Sequence, residues 1–375
     1  MARIFWAPRY MDTAPFTTIY QHAGPFATAL VDVGHDNEHG EHEHELRVRA
    51  VCDQLTEQGA PDSVVSAVGD RLRELVERPA PIARLVVATG EGIAHDEIIG
   101  VRVDRPVSTW GPLPDLAPWI AHRDSSLTFV LVLVDHEGGD VALYDSEVPE
   151  SQEEAAVGGE TRFVHMVPVG GWSALRYQHN TENVWRRNAE AVVQEVRSHV
   201  HRGHRLVLLA GDPQSRGIVR GQLEDTKAEV VELDTGTRAE DGGEEALQEA
   251  VGQALLSCLG RRRAALADAL REQRERGGAL ATGVDEVLEA FVRGQVDTLL
   301  LDPAETAEIE VDAAHHPGLN LGQELPPGPV RADQALIAAA VLTGAAVSIN
   351  RREALADSPA AALLRWDQDP DAVAG

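Results

Sequence analysis

The stretch Pro168-Val169-Gly170-Gly171-Trp172-Ser173-Ala174-Leu175-Arg176-Tyr177-Gln178 combines residue types that suit contact with RNA. Adjacent glycines let a backbone approach another surface closely and adopt positive φ. An indole offers a stacking face for an unstacked base, and guanidinium groups bind phosphates in a fixed fork. Arg176, Arg186 and Arg187 supply those guanidinium groups, the last two from the helical stretch that follows. The same residue types also fit a glycine turn that caps a helix and packs Trp172 inside, so composition alone leaves both readings open.

Other chemistry-bearing groups are weaker. His35-Asp36-Asn37-Glu38-His39, continued by His42 and His44, places two histidines at i,i+4, but the order is not that of a zinc protease helix; it reads as a solvated acidic loop entering a helix, and no metal is assigned. Gly90-Glu91-Gly92 follows a strand-like run, yet His95 stands where a dinucleotide fingerprint needs its third glycine, so a plain βα turn is expected. Gly211-Asp212-Pro213-Gln214 reads as a strand exit. The chain has no G-x-S-x-G elbow and no phosphate-binding G-x-x-x-x-G-K-[ST] loop. Lys227 is its single lysine, which leaves one candidate for Schiff-base chemistry. Cys52 and Cys258 lack metal-type spacing and suggest reduced cytosol. No catalytic residue and no cofactor is assigned.

The 375 residues are enough for two or three domains, and 43% hydrophobic content allows sizeable cores. A formal net charge of −28 repels polyanions at long range. Any RNA contact must therefore come from locally clustered arginines, and DNA and membrane partners are not expected. No run of about 18 apolar residues and no signal-like start is present, so the chain reads as soluble, unprocessed and cytoplasmic.

Alternating periods indicate an α/β protein. Strands are expected at Ala27 to Val33 and Arg84 to Thr89, with a helix stripe at Val64, Val68, Leu72, Leu75 and Val76. A buried hairpin follows, from Leu127 to Val134 and from Val141 to Tyr144, and then an acidic, glycine-rich loop from Glu147 to Glu160. Ala189, Val192, Val193, Val196 and Val200 share one helix face. Arg205 to Ala210 is the next strand. A helix from Ala246 to Arg276 is expected to break near Leu259-Gly260 and to stop at Gly277-Gly278. Beyond it come helix Asp285 to Arg293, strand Val296 to Leu301, a loop from His315 to Pro329, helix Ala332 to Leu342 and strand Ala345 to Ile349. These runs place domains at 1–125, 126–256 and 257–375.

The segment after Val169 resembles the archaeal and eukaryotic class of peptide-chain release factors and their relative Pelota. The release factors carry Gly-Gly-Gln followed by Ser-Ala-Leu-Arg and an aromatic; here Gly170-Gly171-Trp172 precedes Ser173-Ala174-Leu175-Arg176-Tyr177. Leu206-Val207-Leu208-Leu209-Ala210-Gly211, Gly283-Val284-Asp285-Glu286-Val287-Leu288, Gly294-Gln295-Val296-Asp297 and Ala362-Leu363-Leu364-Arg365-Trp366 have counterparts in the same order, so the resemblance runs from about residue 127 to 366. Two departures matter. The Asn-Ile-Lys-Ser motif that reads stop codons is absent, and Trp172 replaces the glutamine that helps place water at the peptidyl-tRNA ester. Indole has one N–H donor and no acceptor, and Gln178 lies six positions along.

A bacterial-type chain with these departures is similar to the ribosome hibernation branch of that superfamily, the relatives of Balon. The resemblance implies three mixed α/β domains in a release-factor-like arrangement: the first facing the small subunit, the middle one carrying Gly170, Gly171, Trp172, Ser173, Arg176, Arg186 and Arg187 to the rRNA of the peptidyl-transferase centre, and the last facing the stalk base or a translation GTPase such as elongation factor Tu. It implies occupancy of the ribosomal A site without peptide release. A peptidyl-tRNA hydrolase using Gln178 or a backbone-held water in place of the lost glutamine, and a Pelota-like rescue factor, are the alternatives.

Overall fold

The computed structural model describes residues 13, 16–34, 40–76, 81–103, 105–135, 138–146, 148–157, 182–234, 243–355 and 357–366. The chain forms two compact units, one from residues 1–125 with 262–375 and the other from 126–261.

The first unit begins with β1 (Phe26–Asp32), α1 (Gly40–Glu57), α2 (Asp62–Arg73), β2 (Ala83–Thr89), β3 (Gly92–Ile99), β4 (Val107–Gly111) and α3 (Ala117–Ser125). The strands pair antiparallel in the order β3-β2-β1-β4. Ala27, Ala29 and Val31 meet Val48, Val51, Leu55, Val64, Val68 and Leu72 of the two helices, while Phe26 and Leu30 point into a second core. Burial on both faces explains why β1 and β2 read as nearly unbroken apolar runs. Two expectations fail here. Gly90-Glu91-Gly92 is the turn of a β hairpin and not a βα turn, because β3 returns directly along β2. The α2 stripe ends at Leu72; Leu75 lies beyond the helix and is 77% exposed.

The second unit contains β5 (Thr128–Val134), β6 (Gly139–Asp145), β7 (Val148–Val157), α4 (Glu182–Arg202), β8 (Leu206–Gly211), α5 (Pro213–Leu223), β9 (Glu229–Glu232) and the start of α6 (Gly243–Arg276). Its sheet has the order β7-β6-β5-β8-β9, with β5, β8 and β9 parallel. The expected acidic loop after Glu147 is instead β7, an edge strand paired antiparallel with β6. One solvent-facing side tolerates the glutamates that disguise it in sequence. Helix α6 is continuous through Leu259-Gly260 rather than broken there. Val251, Ala254 and Cys258 ahead of Gly260 are buried in one unit, and Leu266 and Leu270 after it are buried in the other. That packing offsets the roughly 1 kcal/mol propensity cost of the glycine.

The remaining elements complete the first unit: β10 (Leu280–Thr282), α7 (Val284–Val292), β11 (Val296–Leu301), α8 (Pro303–Thr306), β12 (Glu310–Val311), β13 (Val330–Arg331), α9 (Ala332–Thr343), β14 (Ala346–Ile349) and β15 (Ala360–Leu364). The larger sheet runs β10-β15-β11-β14. Leu288, Leu299, Leu336 and Ala362 share one core with Phe16, Phe26, Leu85 and Trp119, so the two ends of the chain fold against each other.

Polar contacts fix that join. Arg331 Nη1 donates to Asp115 Oδ2 at 2.8 Å, and its Nε donates to Asp333 Oδ1 at 3.0 Å. Asp333 is fully buried and Asp115 is 4% exposed. Gln323 accepts from the Gly24 N–H at 2.7 Å and donates to Pro112 O at 2.8 Å. Asp124 accepts from the Ile349 N–H at 2.9 Å and from Ser348 Oγ at 3.0 Å. Burial pushes the Asp115 carboxyl above its ordinary range, and Arg331 opposes that shift. Arg331→Met leaves two buried carboxylates without their cation and should cost about 3–5 kcal/mol in urea unfolding at pH 7. A loss below about 1 kcal/mol, the scale of an exposed pair, would show that the arginine is dispensable to the join.

Candidate nucleic-acid interface

The residues singled out from sequence fall on and before α4. Helix α4 forms because Ala189, Val192, Val193 and Val196 repeat at helical spacing and meet Val130, Val132, Val141, Val207 and Leu209 of the sheet. Its 21 residues span about 31 Å. Arg186 and Arg187 lie in its first two turns. Gly170, Gly171, Trp172, Ser173, Arg176 and Gln178 lie outside the described residues, in the connection between the end of β7 and the start of α4.

Many other arginines of this unit are held by its own acids. Arg197 donates to Gln222 O and Asp225 Oδ1, both at 2.8 Å, and so ties α4 to α5. Arg202 pairs with Glu153 of β7. The buried Arg216 donates to Leu233 O at 2.6 Å and lies 3.4 Å from Asp234, while Arg220 meets Glu232 at 2.5 Å. Arg261 meets Glu229 at 2.8 Å. These pairs tie the helices to one another and to the sheet.

Gly211 serves as the strand exit its sequence suggested, with a specific cause. Its φ is +109°, and a β-carbon there would lie 2.0 Å from Val134 O. Asp212 then caps α5, accepting from the Ser215 N–H at 2.8 Å. His44 is buried where α1 meets α2, with Nε2 2.9 Å from Leu72 O. His42 lies on α1, and His35 and His39 lie outside the described residues. Among the described residues, no group of three or more His, Cys, Asp or Glu is placed to hold a metal, and no helix is long and apolar enough to cross a membrane.

Sequence reasoning missed two polar groups in this unit. Asp140 of β6 has a buried Oδ1 with no hydrogen-bond partner; burial, with Asp135 and Glu154 nearby, pushes its carboxyl up to about 6. His199 is buried on the inner face of α4, and its position three residues after Val196 on the apolar stripe was a usable signal.

Residues 128–276 match the family described as Bacterial archaeo-eukaryotic release factor family 2, so the likeness to release factors holds over that segment. Along most of its length the chain is similar to Uncharacterized protein Rv2629 of Mycobacterium tuberculosis strain H37Rv and to Uncharacterized protein MT2704 of strain CDC 1551. Each is 28% identical over 358 residues, covering 92% of this chain and 94% of the relative. Among solved structures, Archaeoglobus fulgidus Pelota is 13% identical, covers 98% of both chains and has a TM-score of 0.30. Dom34 of S. cerevisiae, a translation termination-like factor, is 9% identical over 96% of this chain and 95% of its own, with a TM-score of 0.41.

The Asp140 carboxyl has a sign that can be tested. Its value is raised in the folded state, so its contribution to stability is present at acid pH and is lost as pH rises through about 6. Asp140→Asn should therefore raise the melting temperature at pH 7.5 by about 2–6 °C, the response to roughly 1 kcal/mol in a unit of this size. At pH 4 the variant and the parent should melt together. Calorimetry at the two pH values checks this; an equal shift at both would remove the proton from the explanation.

Proposed function

We propose that the protein is a ribosome hibernation factor that occupies the A site of idle ribosomes and releases no peptide. The observation that carries this reading is the family match over 128–276 combined with Gly170-Gly171-Trp172 standing where the archaeal and eukaryotic release factors have Gly-Gly-Gln. In this reading the glycine-tryptophan tip enters the peptidyl-transferase centre. Trp172 stacks on an rRNA base or lies against the ribosomal wall, and Arg176, Arg186 and Arg187 hold phosphates beside it. The first domain faces the small subunit, and the last is open to a delivering GTPase such as elongation factor Tu.

The chemistry argues against hydrolysis. Water attacking the peptidyl ester needs a group that both accepts from and donates to it, as a carboxamide does. Indole only donates. With a net charge of −28, the RNA contacts are local and short-ranged, and binding should weaken as salt rises.

Three measurements test the proposal. Ribosomes from starved and growing cells, sedimented at modest salt, should carry the protein in the starved sample; its absence from ribosomal fractions under every stress tried would overturn the reading. Purified protein added to ribosomes holding labelled peptidyl-tRNA should release no peptide above background. Release that disappears in Gln178→Ala would establish a peptidyl-tRNA hydrolase instead. Trp172→Ala should weaken ribosome binding about tenfold or more, since a base–aromatic stack contributes roughly 1–3 kcal/mol. Unchanged affinity with a lowered melting temperature would identify Trp172 as a core residue.

A further inference from the structure

His199 lies on α4 and is 1% exposed, and the groups around its ring specify its protonation state. Arg202 Nη2 is 2.9 Å from Nδ1. A guanidinium group has donors only, so Nδ1 must accept and carries no proton. The single ring proton then sits on Nε2, which faces Glu195 Oε1 at 3.5 Å. Arg202 reaches on with Nη1 to Glu153 Oε2 of β7 at 2.6 Å. The result is a chain, Glu195 to His199 to Arg202 to Glu153, that runs from the inner face of α4 to the edge strand.

We propose that these four residues form a proton-operated clasp between α4 and β7, closed while His199 is neutral and released when it takes up a second proton. The clasp stands on its own geometry whether or not the protein meets a ribosome. Protonating Nδ1 replaces an acceptor by a donor, so the bond from Arg202 is lost and two cations face each other. Arg202 must move, and Glu153 loses the partner that holds β7. The charged and titratable groups bearing on the ring are Glu195 and Arg202 from α4, Glu153 from β7, and His204 just after α4, whose ring centroid is 6.2 Å away. Glu195 and Glu153 favour the imidazolium; Arg202, His204 and above all burial disfavour it, and the balance holds His199 below the ordinary histidine range. The folded state therefore binds the proton less readily than the open one. The clasp is at full strength above the ordinary histidine pKa of about 6.5 and weakens as pH falls below it.

The test uses the full chain. Nitrogen NMR at pH 7.5 should show His199 as the Nε2–H tautomer, with its signals assigned by their loss in His199→Gln. Hydrogen exchange, corrected for its intrinsic pH dependence, should show the β7 amides about three- to tenfold less protected at pH 5.5 than at pH 7.5, the range one linked proton permits over that interval. The amides of β5 and β8 should hold. His199→Gln offers both a donor and an acceptor and does not titrate, so its β7 protection should be the same at both pH values. Arg202→Met should lack the extra protection at both. An Nδ1–H tautomer, equal β7 protection in the parent at both pH values, or a loss shared equally by β5 and β8 would each overturn the proposal. If His199→Gln does not fold, His199→Asn supplies the assignment, and the tautomer and the parent's pH comparison still decide.

Discussion

Because β5 and β8 pair in parallel, the chain must leave the end of one strand and re-enter at the start of the other, and it does so through the β6–β7 hairpin, residues 158–181 and α4. A parallel pair also has to be covered on both faces. Here α4 and α5 bury Val130, Val132, Val207 and Leu209 on one side, while α6 buries Phe129, Leu131, Leu206 and Leu208 on the other. Helix α4 is thus packed on the most deeply buried strands of its unit. Gly211 is part of the same constraint: the chain can turn out of β8 only because no side chain separates it from the Val134 carbonyl.

Charge is organised around that frame. The acids that make the chain strongly anionic are in many cases structural partners of arginines on helices: Asp225 for Arg197, Glu153 for Arg202, Glu232 for Arg220 and Glu229 for Arg261. Exposed pairs of this kind each contribute little to stability, but together they assign each arginine a place. An arginine so held is poorly available to a phosphate.

The first unit solves a different problem. Its two sequence-distant halves share an apolar core, which is not directional, and the Asp115–Arg331–Asp333 group adds the direction. Burying two carboxylates against one guanidinium is expensive unless each lone pair finds a donor. The orphaned Asp115 Oδ1 and the orphaned Tyr20 hydroxyl show where that satisfaction is incomplete.

The sequence by itself determined the α/β class, the strands whose two faces are buried, the apolar face of α4 and the likeness of the middle segment to release factors. These are legible because burial on both faces leaves continuous apolar runs, and burial on one helix face leaves a 3.6-residue period. It did not determine β7, whose glutamates are tolerated only because an edge strand has a wet side, nor β3, whose mixed residues become a strand by pairing with β2. The unbroken course of α6 through Gly260 was equally hidden, since packing on either side of the glycine outweighs its propensity. Which arginines are held by which acids, the burial of Asp140, and the joining of the two ends of the chain were decided by tertiary structure alone. Each depends on groups far apart in sequence packing together, the ion pairs at about 3 Å, the range over which hydrogen bonds act, and no local pattern encodes such a meeting.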